Sequence, residues 1–250
     1  MEQAAKTNSF SLKKEIALFK RDIRQIPSSM VAVFSICVIL MNLLANKELV
    51  RLPWLTLDCG TLLSWVSFLC MDVVTRAYGP AASIRCSVYA LMTNLAAAVV
   101  FWFVSVLPGN WGEYYTYGDA AVNTVLNSTI GGTWFVLFGS SVAFIASAIV
   151  NSLLNAAIGK MMKSKGFRAF AARSWISTMV GQGVDNILFA FIVSRTLFGW
   201  TVGQCIVCSL IQAVFELLFE VVFSPLGYRI CRGIEKESGE DWEDAANKQM

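Results

Sequence analysis

Three polar side chains, Gln182, Asp185 and Asn186, interrupt an apolar stretch of the sequence, VGQGVDNILF at 180–189. A carboxylate accepts hydrogen bonds and carboxamides both donate and accept them, so this group has the chemistry to bind a polar ligand. A charge at the centre of a transmembrane helix costs about 2.5 to 3.5 kcal/mol. Asp185 lies about 15 Å along the helix from Trp175, near mid-membrane. We therefore predict that Asp185 lines a polar cavity, with a purely structural pairing as the alternative.

The neighbours of Asp185 differ in the direction they face. Gln182 stands three residues earlier and shares its helix face. Asn186 points about 100° away on a helix of 3.6 residues per turn, so helix packing is an alternative role for it. Gly181 and Gly183 allow another backbone to approach closely.

Other acids lie in apolar segments at helical spacing. Asp72 and Arg76 are four residues apart, which allows an internal ion pair. Glu216 and Glu220 are also four apart and repel each other when both are charged, so a cation such as Arg229 or Arg85 would be needed to neutralise them. Measured from Trp54 and Trp200, all three acids are expected near the inner membrane surface, where long side chains reach water.

Composition excludes several classes of chemistry. The sequence has no histidine, and it has no GxSxG motif or phosphate-binding loop. Of the seven cysteines, only Cys205 and Cys208 have CxxC spacing, and a zinc site needs about four ligands. We predict no cofactor, no metal and no enzymatic activity; a membrane-embedded enzyme is the weaker alternative.

The chain is 56% hydrophobic and 15% charged, against about 25% charge in soluble domains. Apolar runs long enough to cross a bilayer recur along it. We predict an all-α, polytopic membrane protein with an amphipathic arm at 1–27, a six-helix domain at 28–228 and a polar tail at 229–250. The predicted spans are 30–46, 55–75, 84–107, 133–158, 174–195 and 200–223.

The basic residues set the orientation. With these spans, 17 of the 20 Lys and Arg residues fall on one side, and 108–132 contains none. Because positive loops stay in the cytoplasm, both termini are predicted there. The segment 10–26 repeats apolar residues at steps of three and four among basic ones, so it is expected to lie on an anionic inner leaflet, or to serve only as a flanking helix.

Two further patterns concern the fourth and fifth spans. Gly139, Ala143 and Ser147 form a small-residue row, which predicts a helix-packing face. A loose similarity between the spans at an offset of 31 pairs Asn151 with Gln182. The two spans run in opposite directions, so this pairing fits either an inverted repeat of the transporter kind or chance.

The order of several motifs resembles the vitamin uptake transporter family, also called the queuosine-precursor transporter family. These motifs are NLLANK at 42–47, MDVVTRAYG at 71–79, FIAS at 144–147 and ARSWISTMVGQGVDNILF at 172–189. The resemblance, which extends over 28–223, implies import of 7-cyano- or 7-aminomethyl-7-deazaguanine across a bacterial plasma membrane. The candidate substrate-binding residues are Asp185, Gln182, Asn186, Asp72, Asn151, Asn42, Lys47 and Glu216.

The chemistry of such a base suits these side chains. A guanine-like edge presents adjacent N–H donors, and a carboxylate accepts two of them in a strong, charge-assisted pair. We expect a deazapurine-like substrate and membrane lipids as partners, and no nucleic acid. The alternatives are a substrate-capture subunit that works with a separate energising partner and a structural membrane protein without a substrate.

Overall fold

A computed structural model describes residues 12–52, 54–162 and 166–238. The start of the amphipathic arm, Pro53, the basic residues Lys163 and Lys165 and the end of the tail lie outside the described residues. The helices are α1 Leu12–Gln25, α2 Ser28–Leu44, α3 Thr61–Tyr78, α4 Pro80–Val106, α5 Gly112–Tyr117, α6 Ala120–Gly131, α7 Thr133–Met161, α8 Phe167–Phe189, α9 Arg195–Phe198 and α10 Val202–Ser238. A π-helical turn, Ala190–Ser194, joins α8 to α9.

Four helical runs in the described part of the chain are long and apolar enough to span a membrane: Pro80–Val106, Ala120–Met161, Phe167–Phe198 and Val202–Ile234. A fifth results if α1 and α2, which meet at a bend of 104°, count as one span. The all-α polytopic class is thus supported, whereas the number six is not. The predicted second span corresponds to α3, whose polar residues Asp72, Thr75 and Arg76 lie buried inside the bundle.

The predicted second span begins later than its hydropathy indicates. In place of helix from residue 55, the chain forms an antiparallel hairpin of β1 Glu48–Arg51 and β2 Thr56–Asp58. The backbone N–H of Cys59 donates to the carbonyl of Lys47 and closes the hairpin at 2.8 Å. Because α3 begins only at Thr61, Asp72 lies about 16 Å along the helix from its first residue. Asp72 therefore lies inside the bundle and not at its edge.

The last helix continues beyond the predicted stop at Ser224–Pro225. Proline lacks the N–H that would donate to the carbonyl of Val221 four residues earlier. The Ser224 hydroxyl donates to that carbonyl at 2.9 Å and replaces the missing bond. Helix α10 therefore extends to Ser238, and the expected domain boundary at 228/229 lies inside it.

Helix α8 packs mainly against α7 and α10, and α3 packs against α10, α2, α4 and α7. The small-residue row on α7 forms a helix-packing face, as its spacing predicts. A Cβ added to Gly139 would collide with Val193 of the π-helical turn, and the Ser147 hydroxyl donates to Asp185 on α8. Ala143 and Ser147 are fully buried.

Ion pairs hold helix α1 against α4. The Arg85 guanidinium contacts the buried Asp22 carboxylate and lies 3.4 Å from Glu15. Arg85 is therefore engaged with the arm, which corrects the expectation that it neutralises Glu216 or Glu220. Phe19, from the second half of the apolar stripe of α1, packs against α4, with the Phe19 and Tyr89 rings 6.4 Å apart.

Candidate functional site

A row of polar residues follows the inward face of α8. Ser174, Thr178, Gln182 and Asn186 are spaced by four, so they lie above one another along the helix. All four are buried, and the first three have no exposed surface. This row connects two groups of carboxyl side chains contributed by other helices.

The first group surrounds a cavity of about 30 Å³. It combines carboxyl, carboxamide and hydroxyl side chains from α2, the β2–α3 segment, α7, α8 and α10. Of the lining residues in the described part of the chain, none is Lys or Arg. The polar lining residues are Asn42, Asp58, Thr61, Ser64, Ser140, Asp185, Asn186, Gln212 and Glu216.

Hydrogen bonds between helices hold this cavity closed. Glu216 on α10 accepts from the Ser64 hydroxyl on α3 and, at 2.9 Å, from the Asn186 amide on α8. The Gln212 amide donates to the Thr61 hydroxyl at 2.6 Å. These bonds tie α3, α8 and α10 together, so the cavity enlarges only if they break.

Asp185 has few protein partners. The Ser147 hydroxyl on α7 donates to its carboxylate at 3.2 Å, and no other hydrogen bond to it occurs among the described residues. A carboxylate can accept about four hydrogen bonds. The side chain is half-buried and borders the cavity, so it retains acceptor capacity for a ligand.

The turn after β2 places a third carboxyl group on the cavity. The N–H of Gly60 donates to the Asp58 side chain at 2.7 Å. A Cβ at position 60 would lie 2.7 Å from Asp58 Oδ1 and 2.9 Å from the Met41 carbonyl oxygen, so only glycine fits without displacement. The hairpin is thereby held against α2 at one end of the cavity.

The second group of carboxyl side chains centres on Asp72. One oxygen accepts from the Asn151 and Asn155 amides at 2.8 and 3.0 Å, and the other accepts from Thr178 at 3.1 Å and from Ser174. Ser174 also contacts Glu220. Asp72, Asn151 and Glu220 are fully buried. We call Asp72, Asn151, Asn155, Ser174, Thr178 and Glu220 the inner cluster.

Gln182 lies between the two groups along α8. One turn before it, Thr178 contacts Asp72, and one turn after it, Asn186 contacts Glu216. Both polar atoms of the Gln182 amide lack a hydrogen-bond partner among the described residues, although the side chain is fully buried. An unsatisfied buried amide costs about 1 to 3 kcal/mol, so a ligand or water that satisfies it gains that amount.

The structure divides the eight predicted binding residues into four sets. Asp185, Asn186, Asn42 and Glu216 line the cavity, whereas Asp72 and Asn151 belong to the inner cluster. Gln182 lies between them. Lys47 is exposed beside the hairpin and does not line the cavity.

The expectation that Glu216 and Glu220 reach water is wrong. Both are buried in the bundle, at 1% and 0% exposure, and do not reach the surface. The reference residue was misleading, because Trp200 is itself buried in an apolar cluster with Leu55 and Leu57. Helix α10 also extends 22 residues beyond Glu216, which places that residue well within it.

The sequence pattern does not single out several site residues. Asp58 falls within a predicted transmembrane helix, and Gln212, Ser174 and Thr178 are residue types that are common on helices. A usable signal was the spacing of four from Ser174 to Asn186, which marks one continuous polar face. Among the described residues, no group of three His, Cys, Asp or Glu side chains has an arrangement that could hold a metal ion.

Comparison with known proteins identifies the family. No curated protein and no solved structure matches the chain significantly. A family profile described as "putative vitamin uptake transporter" matches residues 58–230, from the hairpin through most of α10. This range contains all of the inner cluster and most of the cavity lining, and it covers well over half of the sequence. The chain therefore belongs to the vitamin uptake transporter family, and it is an integral membrane protein.

Proposed function

We propose that the protein imports a queuosine precursor, a 7-deazaguanine base, and binds it in the cavity at Asp185. The observation that carries this proposal is the acidic lining without a cation. Three carboxyl groups, from Asp58, Asp185 and Glu216, border one small space in the absence of any lining Lys or Arg among the described residues. Such a space is complementary to a ligand that brings N–H donors or positive charge.

The donor pattern of the base matches this lining. The ring N–H and the exocyclic amine of a guanine-like base are adjacent, so one carboxylate accepts both. The Asn186 and Gln212 amides supply donors for the ring carbonyl, and Phe189, which also lines the cavity, offers a flat face for stacking. Of the two candidate bases, the 7-aminomethyl compound carries an ammonium group and fits three carboxyl groups better than the neutral 7-cyano compound.

The size of the cavity implies a conformational change during transport. A cavity of about 30 Å³ has room for a water molecule. A bicyclic base needs several times that space, so the cavity must enlarge before it can hold one. Loading requires that the bonds from Glu216 to Ser64 and Asn186 break and that the hairpin or α10 moves away from α8.

The amphipathic helix α1 suits the inner leaflet of a bacterial plasma membrane, with both chain termini in the cytoplasm. Leu12 and Ile16 on α1 are 64% and 46% exposed, and basic residues alternate with them. This helix turns by 104° from α2, as expected for a segment that leaves a span to lie along the membrane surface. The same exposed face is available for a partner, which keeps the substrate-capture subunit as the second candidate function.

Reconstitution of the purified protein alone in liposomes tests the proposal. Radiolabelled 7-aminomethyl-7-deazaguanine should enter the vesicles and be displaced by unlabelled base, with adenine as the unrelated control. Binding without entry would favour the capture subunit. Absence of both binding and entry would refute import of this substrate.

A further inference from the structure

The inner cluster holds two carboxyl groups in contact. One Ser174 hydroxyl lies within hydrogen-bonding distance of both Asp72 and Glu220, and the two carboxyl groups are also within hydrogen-bonding reach of each other. A hydroxyl has a single hydrogen to donate. If Ser174 donates to Asp72, its contact with Glu220 is a hydrogen bond only when Glu220 itself carries a proton.

The distribution of donors identifies which carboxyl group holds the proton. Asp72 accepts from three donors besides Ser174, so its negative charge is well stabilised. The second oxygen of Glu220 has no donor among the described residues, and neither has the amide oxygen of Asn151. Both side chains are fully buried, so an ionised Glu220 would be a buried charge with few partners, next to a second carboxylate.

Charged groups on every neighbouring helix bear on this assignment. Arg76 on α3 lies over the Phe170 ring at 4.8 Å, and the Arg173 guanidinium on α8 packs against Gly159 of α7. These two cations border the cluster and favour one negative charge within it. Among the described residues, Asp72 on α3 is the charged neighbour of Glu220, and Glu216 lies one turn earlier on α10. Arg76, Arg173 and Asp72 lie near Cys231 on α10, and α7 contributes the Asn151 and Asn155 amides that contact Asp72.

We infer that Glu220, paired with Asp72 through Ser174, is a proton-binding site that couples substrate import to the pH gradient. This inference rests on the proposed import function and deepens it. The coupling follows from shared helices, because α8 and α10 contribute both the Ser174–Glu220 contact and the Asn186–Glu216 contact that closes the cavity. When the O–H bond of Glu220 breaks, the electron pair stays on the carboxylate and the proton passes to water. Two adjacent carboxylates then repel, which separates α10 from α3 and α8 and loosens the cavity.

Infrared difference spectroscopy tests the proton site without any transport. At neutral pH the wild-type protein should show the carbonyl stretch of buried, protonated carboxyl groups, and Glu220→Gln should remove one component of this band. Glu113→Gln, the same change on an exposed residue of α5, should leave the band in place. A wild-type band unchanged in Glu220→Gln protein would overturn the assignment, as would the absence of any such band.

Accumulation in liposomes tests the coupling. With the membrane potential clamped at zero and the lumen one pH unit more alkaline, one proton per substrate concentrates 7-aminomethyl-7-deazaguanine about tenfold. Glu220→Gln should bring the internal and external concentrations level. Wild-type protein that equilibrates substrate without concentrating it, or that responds only to a sodium gradient, overturns the coupling while leaving import intact. If no deazaguanine enters at all, the proposed function fails, and the infrared band still decides whether Glu220 binds a proton.

Discussion

Replacement of Asp185 by asparagine is the most direct test of the cavity as the substrate site. The substitution keeps the size of the side chain and an oxygen that accepts from Ser147, its one hydrogen-bond partner among the described residues. It removes the negative charge that would bind the substrate. The fold should therefore survive, and the loss should appear in binding.

The expected magnitude follows from the kind of bond that is lost. Hydrogen bonds to charged groups contribute about 1.5 to 3 kcal/mol, so the Kd for 7-aminomethyl-7-deazaguanine should rise about 10- to 150-fold. The 7-cyano base lacks the ammonium group and should lose less. The assay is equilibrium binding of radiolabelled base to purified protein in lipid nanodiscs.

Two control substitutions distinguish the loss of the Asp185 charge from other effects of the mutation. Ser147→Ala removes the partner of Asp185 but keeps the carboxylate, and it should change the Kd by less than about threefold, under 1 kcal/mol. Asp119→Asn makes the same chemical change at the exposed start of α6. An Asp185→Asn protein that melts like the wild type and binds the base within about twofold of its affinity would refute the reasoning.

Three further predictions concern residues that surround the site or stabilise the fold around it. Gly60→Ala should lower stability by about 1 to 3 kcal/mol in thermal melts, because the added Cβ has no space. The control Gly112→Ala, with nothing within 4 Å of the added Cβ, should not lower it. Equal melting temperatures of the two variants would contradict the closeness of the hairpin to α2. Gln182→Leu should raise the melting temperature, since it removes an unsatisfied amide, and should weaken base binding about tenfold. Unchanged affinity would mean that the Gln182 amide does not bind the substrate. Arg85→Met removes the ion pair between Asp22 and α4 and leaves the buried Asp22 carboxylate only its neighbour Arg21 as a partner, so hydrogen exchange of α1 should accelerate. Asp22→Asn added to it should restore part of the protection. Normal exchange in the single variant would show that the ion pair does not hold α1.

Much of the architecture follows from local properties of the chain. Hydropathy predicts the existence and order of the long apolar helices, and the three-and-four spacing of apolar residues predicts α1, whereas the start of α3 and the end of α10 differ from prediction by 6 and 15 residues. The isolated Asp185 marked a polar site because a charge in a membrane span is costly. These features depend on neighbours in sequence, so one sequence was enough to predict them.

The composition of the site depended on contacts between distant segments. Asp72 meets Asn151 and Ser174 across 79 and 102 residues, and Ser64 meets Glu216 across 152. Hydropathy could not distinguish the hairpin at 48–58 from the start of a helix, and the bond from Ser224 that allows α10 to pass Pro225 is a side-chain detail. Sequence alone determined that carboxylates and amides enter the membrane-embedded bundle. Only the tertiary structure sorted them into a cavity without cations and a pair of touching carboxyl groups, because which charges face each other is set by helix packing and not by spacing along one helix.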